Sequence, residues 1–157
     1  MKRRFALGII AASLAGGALV APVAAQTMKG VAGTYSPVTV SAYGDNPRGQ
    51  MILTPSGRYS IVLTRAEMPK IATGVRTKAT TEENRAVVDG SIAHSGRYTI
   101  GEDGKSITFH IETSTFPNWN GTTQKRPLSL KGDLLTYTVA TPSNGMPPNE
   151  VTWRRVK

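Results

Sequence analysis

The chain has 157 residues, 39% of them hydrophobic and 18% charged, with a formal net charge of +9 and no cysteine. That composition excludes a disulfide framework, a thiolate metal site and a cysteine nucleophile, so the fold must rest on its core. Past the first few residues no basic run exceeds two, which argues against a nucleic-acid partner, whose binding stripe would be denser and interleaved with aromatics.

Lys2, Arg3 and Arg4 precede an apolar run from Phe5 to Val20, and Val23-Ala24-Ala25 supplies small residues before Gln26. This three-part pattern predicts a secretory signal over residues 1–25, cleaved near Ala25. An uncleaved membrane anchor is the rival, but the run falls short of the roughly 20 residues of a spanning helix, and Gly16-Gly17 interrupts it. Cleavage leaves residues 26–157 as one domain with 16 basic and 10 acidic side chains, a net +6, and no stable membrane insertion. A chain so exported works in the periplasm or outside the cell.

From Gly33 the pattern is β almost throughout. Gly33 to Tyr43 carries β-branched and aromatic residues, with Pro37 implying an edge strand or a bulge. Gln50–Thr54 and Arg58–Thr64 form a hairpin about Pro55-Ser56-Gly57, the second strand alternating Tyr59, Ile61 and Leu63 with polar residues. Arg65 to Ala79 reads as a loop. Thr80 and Glu83 then make a capping box for one short helix from Thr81 to about Asp89, placed as a lid or plug.

A meander follows: strands at Ile92–Ile100, Ser106–Phe116, Thr122–Leu130, Leu134–Thr141 and Val151–Val156, separated by Gly-containing or Pro-rich turns. Asn120-Gly121 reads as a tight hairpin reversal. About eight strands joined mostly by hairpins predict an all-β, mostly antiparallel up-and-down barrel, with a two-sheet sandwich as the alternative.

On Ser106–Phe116, Phe109 and Ile111 share a face with Ile107, while His110 and Glu112 lie on the other. Polar strand faces usually meet solvent, but a ligand-binding barrel can line its interior with polar groups, so both orientations stand. With two histidines and no ligand motif, no metal site and no cofactor are expected. No Gly-x-Ser-x-Gly elbow or phosphate loop is present. Lys125-Arg126 can face Glu112 across the hairpin as a weak charge pair. Trp119 and Asn118 sit at a strand end, where an indole either caps the barrel or lines an apolar site.

An ordered set of segments resembles the bacterial lipocalin-like domain family: Gly33-Thr34-Tyr35, Leu53 to Tyr59, Thr80 to Glu83, Ser95 to Thr99, Ser114-Thr115-Phe116-Pro117-Asn118-Trp119 with Gly121-Thr122, and Val151 to Val156. The resemblance covers nearly all of the expected mature chain. It implies a calycin-type barrel with a central cavity and a small or hydrophobic ligand. It also implies that His110 faces the cavity, that Phe116–Trp119 forms its rim, and that Arg65 reaches a ligand carboxylate. Tyr35 stands where lipocalins proper carry tryptophan, and Arg154 or Arg155 would pack over it.

The resulting expectation is an exported protein binding a small, mostly hydrophobic or amphipathic molecule. Tyr59, Tyr98, Phe109, Ile111, Trp119 and Tyr137 are candidate lining, and Arg65, His110, Asn118 and Arg126 candidate polar contacts. The alternative is a small barrel isomerase or cyclase using His110 as acid–base with Glu112 orienting it. A third option is a protein partner bound at a barrel edge near Pro37. Residues alone do not choose the ligand.

Overall fold

A computed structural model describes residues 26–157; the expected signal segment lies outside the described residues. Eight strands run in chain order: β1 (Gly33–Val40), β2 (Arg48–Leu53), β3 (Arg58–Thr64), β4 (Ser91–Ile100), β5 (Ser106–Ser114), β6 (Thr123–Lys131), β7 (Leu134–Val139) and β8 (Asn149–Arg155). Each pairs antiparallel with the next and β8 returns to β1, closing the barrel. Closure removes the two exposed edges that eight sequentially paired strands would otherwise leave, and it excludes the sandwich. Pro37 therefore sits at no edge. It marks a bulge instead, since the β1–β8 register shifts between Pro37 and Thr39, which accommodates a residue without an N–H.

Alternation decides which side chains enter the core. Met51 and Leu53, Tyr59, Ile61 and Leu63, Ile107, Phe109 and Ile111, and Val151 and Trp153 are all buried, while their strand neighbours, Ser106 excepted, are more exposed. The outer face of β5 carries Glu112, which Arg58 and Arg97 approach at 2.7 and 3.5 Å. The expected cross-strand pair with Lys125-Arg126 is absent: Arg126 stands opposite Ile107, turned into the barrel.

One end is plugged. Beyond the expected helix, a single helical turn α1 (Met28–Val31) places Val31 fully inside. Tyr35 donates its hydroxyl to Val31 O at 2.6 Å, and Tyr98 donates to Thr54 O at 2.7 Å. The Arg155 guanidinium lies 4.9 Å from the centre of the Tyr35 ring and donates to the carbonyls of Ala32 and Gly30. The tyrosine in place of tryptophan thus keeps its arginine, and the residue is Arg155.

The other end is open. Helix α2 (Thr81–Gly90) begins at the expected capping box, Glu83 N–H donating to Thr80 Oγ1 and Thr80 N–H to Glu83 Oε2. β5 stops at Ser114, two residues short of the expected Phe116. Pro117–Trp119 then forms a 3-10 turn. Asn120 (φ −60°, ψ 129°) and Gly121 (φ 74°) make a type II turn closed by Thr122 N–H to Trp119 O, not the two-residue hairpin expected from Asn-Gly. The longer connection carries Phe116 and Trp119 onto the core at the open end.

Candidate functional site

Six side chains meet inside the open half of the barrel, each placed there by strand alternation or by the β5–β6 connection. Tyr59 comes from β3, His94 from β4, Phe109 from β5, Arg126 from β6, Tyr137 from β7 and Trp119 from the 3-10 turn. Tyr59 Oη and His94 Nδ1 share a hydrogen bond of 2.9 Å. Tyr59 and Phe109 stack edge-to-face at 4.7 Å, Phe109 and Tyr137 at 5.7 Å, and His94 meets Trp119 at 5.6 Å with the rings perpendicular.

Arg126 is the charge in this aromatic box. It is 3% exposed, and its guanidinium carbon lies 5.0 Å from the Tyr137 ring centre, 5.1 Å from Phe109 and 6.0 Å from Trp119. Nη2 donates to Gln124 Oε1 at 2.6 Å. Among the described residues no carboxylate pairs with it. A guanidinium has five N–H donors, so most of its capacity is uncommitted. Aromatic faces offset part of the cost of burying such a charge, each worth about 0.5–2 kcal/mol.

That charge and the burial around it set the protonation of the neighbours. Burial first, and Arg126 second, lower the His94 pKa to about 3, so the imidazole is neutral at physiological pH. Burial raises the pKa values of Tyr59 and Tyr137, with Arg126 working against the rise in both. Burial likewise pushes Tyr43 up to about 12, with the Arg65 charge opposing. The box therefore holds neutral hydrogen-bonding groups around one cation. The Trp153 indole N–H below it turns towards the Tyr137 hydroxyl without reaching a well-formed hydrogen bond.

Above these residues lies a cavity of about 50 Å³, walled by Val40, Tyr43, Ile92, His94, Trp119, Arg126, Tyr137, Val139 and the Pro142–Asn144 loop among others. It is small beside the roughly 300–1,000 Å³ of drug-sized sites, because the aromatic rings fill most of the barrel. A vestibule of about 270 Å³ adjoins it through Tyr43, Ile92, Ser143 and Asn144, roofed by Val87 and Val88 of α2 and by Phe116. Val88 is 74% exposed, an apolar side chain turned to the approach and not to the core. A third space, about 300 Å³, lies outside Arg126 between β6 and Ala140-Thr141. It exists because β6 and β7 pair only from Leu128 to Lys131, leaving Thr123–Pro127 without a β7 partner.

Of the residues expected from sequence, Trp119, Arg126 and Tyr137 line the cavity, while Tyr59 and Phe109 pack behind them outside its wall. Tyr98 and Ile111 are buried but lie outside the cavity wall, Tyr98 as part of the plug. Asn118 is exposed at the turn. Arg65 is exposed and outside the cavity lining, acting on the site only through its charge near Tyr43. His110 does not face the cavity. Phe109 is locked inward among Tyr59, His94 and Tyr137, so the next residue on the strand must point out, where His110 shares a hydrogen bond of 3.2 Å with Thr123 Oγ1. Glu112 is taken by arginines and does not orient it. The interior histidine is His94, whose signal was the alternation Ile92, His94, Tyr98 along β4. Tyr43 and the Pro142–Asn144 loop had no comparable pattern.

The model of the lipocalin-like domain matches residues 26–156. The chain is also similar to the 4'-hydroxy-3'-methoxypropiophenone carrier protein ppsC of Aspergillus oryzae (strain ATCC 42149 / RIB 40), 31% identical over 86 residues, covering 49% of this chain and 78% of the relative. A closed, eight-stranded antiparallel barrel agrees with the family match. The chain belongs to the lipocalin-like domain family.

Proposed function

We propose that the protein is an exported carrier that holds a small, mostly hydrophobic ligand in the open half of its barrel. The observation that carries this reading is the pairing of a plugged end with an open one, the open end walled by aromatic and aliphatic side chains around few polar groups. An inner cavity of about 50 Å³ and the adjoining vestibule favour a compact ligand, its ring within the barrel mouth and its remainder under α2. The cavity and vestibule give a long straight chain little room. Similarity to a propiophenone carrier supports the same class, a single ring with short substituents. Working outside the cytoplasm, in the periplasm or secreted, rests on the three-part pattern of residues 1–25.

Titration with 4'-hydroxy-3'-methoxypropiophenone, followed by tryptophan fluorescence, tests the reading against a fatty acid of similar hydrophobicity. Saturable quenching by the aryl ketone, weakened in a Tyr43→Ala, Val88→Ser double variant of the mouth, is expected. Saturation by the fatty acid alone would overturn the compact-ligand reading, and silence with both would overturn the carrier. The acid–base alternative built on His110 loses its basis, because that residue stands on the outer wall. For export, the released protein is expected to begin at Gln26.

A further inference from the structure

Arg126 is the feature that carrying a neutral hydrophobic molecule leaves unexplained. It is a fully engulfed cation on a strand that needs none for its hydrogen bonding, with one firm side-chain hydrogen bond, to Gln124, and a looser approach to the Tyr137 hydroxyl. Among the described residues it has no carboxylate. Four salt bridges are formed elsewhere, all of them between partly exposed side chains. Other unpaired lysines and arginines keep water around them; Arg126 is the one Lys or Arg among the described residues that is buried, so water does not replace its missing counter-ion. Burial of an unpaired charge costs several kcal/mol, so its presence in a cavity wall asks for an anion that arrives from outside. Both spaces that meet at Arg126, the cavity and the gap between β6 and Ala140-Thr141, are open to such a group.

Resting on the carrier reading above, we propose that the ligand is a small aromatic oxyanion, a phenolate or arylcarboxylate, whose charged oxygen pairs with Arg126. The ring lies against Tyr137 and Trp119, which already turn faces and edges to the guanidinium. His94, neutral and bonded to Tyr59, adds no second cation and offers no base that would compete for the proton. Lys125 and Thr123, at the outer side of the gap, give the same end of the site a polar exit for a substituent next to the anionic group. A guanidinium suits an oxyanion better than an ammonium would, because its planar fork can donate two parallel hydrogen bonds.

The probe is 4-nitrophenol, whose phenolate is coloured, with 4-nitrotoluene as its neutral counterpart of equal size. Tryptophan quenching reports occupancy of the cavity for both, and absorbance reports the charge state of bound nitrophenol. The expected result is that bound nitrophenol loses its proton at a pH lower than free nitrophenol by about one unit, with the phenolate favoured about tenfold over the neutral form. Nitrotoluene should quench more weakly, and Arg126→Gln should bind both probes alike with no fall in the probe's pKa. If both probes bind equally and the probe's pKa is unchanged or raised, the oxyanion inference fails while the carrier stands. If neither binds at millimolar concentration, both fail. If Arg126→Gln keeps the preference, Arg126 is not the counter-ion. The shift in the unmodified protein is decisive by itself, whether or not the variant folds.

Discussion

Arg126→Met should make the empty protein more stable. The substitution keeps an unbranched stem out to about the position of Nε and removes a charge that is 3% exposed and has no carboxylate partner among the described residues. What is lost is one charge-assisted hydrogen bond to Gln124, about 1.5–3 kcal/mol. Two close aromatic faces at 5.0 and 5.1 Å are lost as well, about 1 kcal/mol each. What is removed is the desolvation of a guanidinium, several kcal/mol. Gln124 is half-buried at the gap between β6 and Thr141 and can turn to water. Replacing a buried ion pair by apolar residues of similar volume is often neutral or stabilising, and a lone buried cation has no ionic attraction to lose, so a gain of about 1–2 kcal/mol is expected. In a domain of this size that raises Tm by about 4–8 °C. Differential scanning calorimetry of both proteins without ligand reads the difference. A fall of more than about 5 °C would refute the reasoning, making Arg126 a structural cation of the barrel and not a site held ready for a partner.

Three further outcomes follow from other parts of the molecule. His94, with a folded pKa of about 3 against about 6.5 unfolded, binds a proton only in the unfolded chain between those values. Its contribution is therefore full above pH 6.5 and is lost as pH falls towards 3, by about 5 kcal/mol, and the urea midpoint of His94→Gln should decline less between pH 7 and pH 4. Gly96→Ala should cost at least about 2 kcal/mol and loosen the site, because the added Cβ would come within 2.1 Å of the His110 carbonyl oxygen at the β4–β5 register shift; chemical denaturation checks it. Arg155→Ala should lower Tm through the plug, losing the Tyr35 stack and two carbonyl contacts, while ligand affinity at the far end stays unchanged.

The fold was legible because alternation of apolar and polar residues with Gly-rich turns is a local signal, and an eight-strand run without a helix between most strands leaves few architectures. β3 was readable to the residue, as was the capping box at Thr80. The single turn Met28–Val31 was not, since four residues carry no period, and what holds them is the distant contact of Tyr98 and Arg155. At the site, aromatic identity singled out Tyr59, Phe109, Trp119 and Tyr137, and the structure gathers these four into one cluster with Arg126. The histidines were exchanged. Resemblance drew attention to His110, whereas its own strand, read strictly by period two from Phe109, sends it outward and sends His94 of β4 inward. Arg126 shows the limit from the other side: on a strand reading Thr-Gln-Lys-Arg-Pro-Leu, the basic pair hides the inward position, and it takes alternation back from Leu128 together with the pairing with Ile107 to show that the arginine, and not the lysine, is buried.

The central claim is that a ligand sits in the open half of the barrel. The protein's two tryptophans divide that half from the rest of the core: Trp119 stands in the cavity wall, and Trp153 lies fully buried outside it. Their two indole N–H resonances, followed by NMR during titration with 4'-hydroxy-3'-methoxypropiophenone, measure where binding occurs. A large, saturable shift of the Trp119 signal with a small one for Trp153 is predicted. Equal small shifts of both, or shifts confined to amides on the outer face around His110 and Glu112, would contradict it.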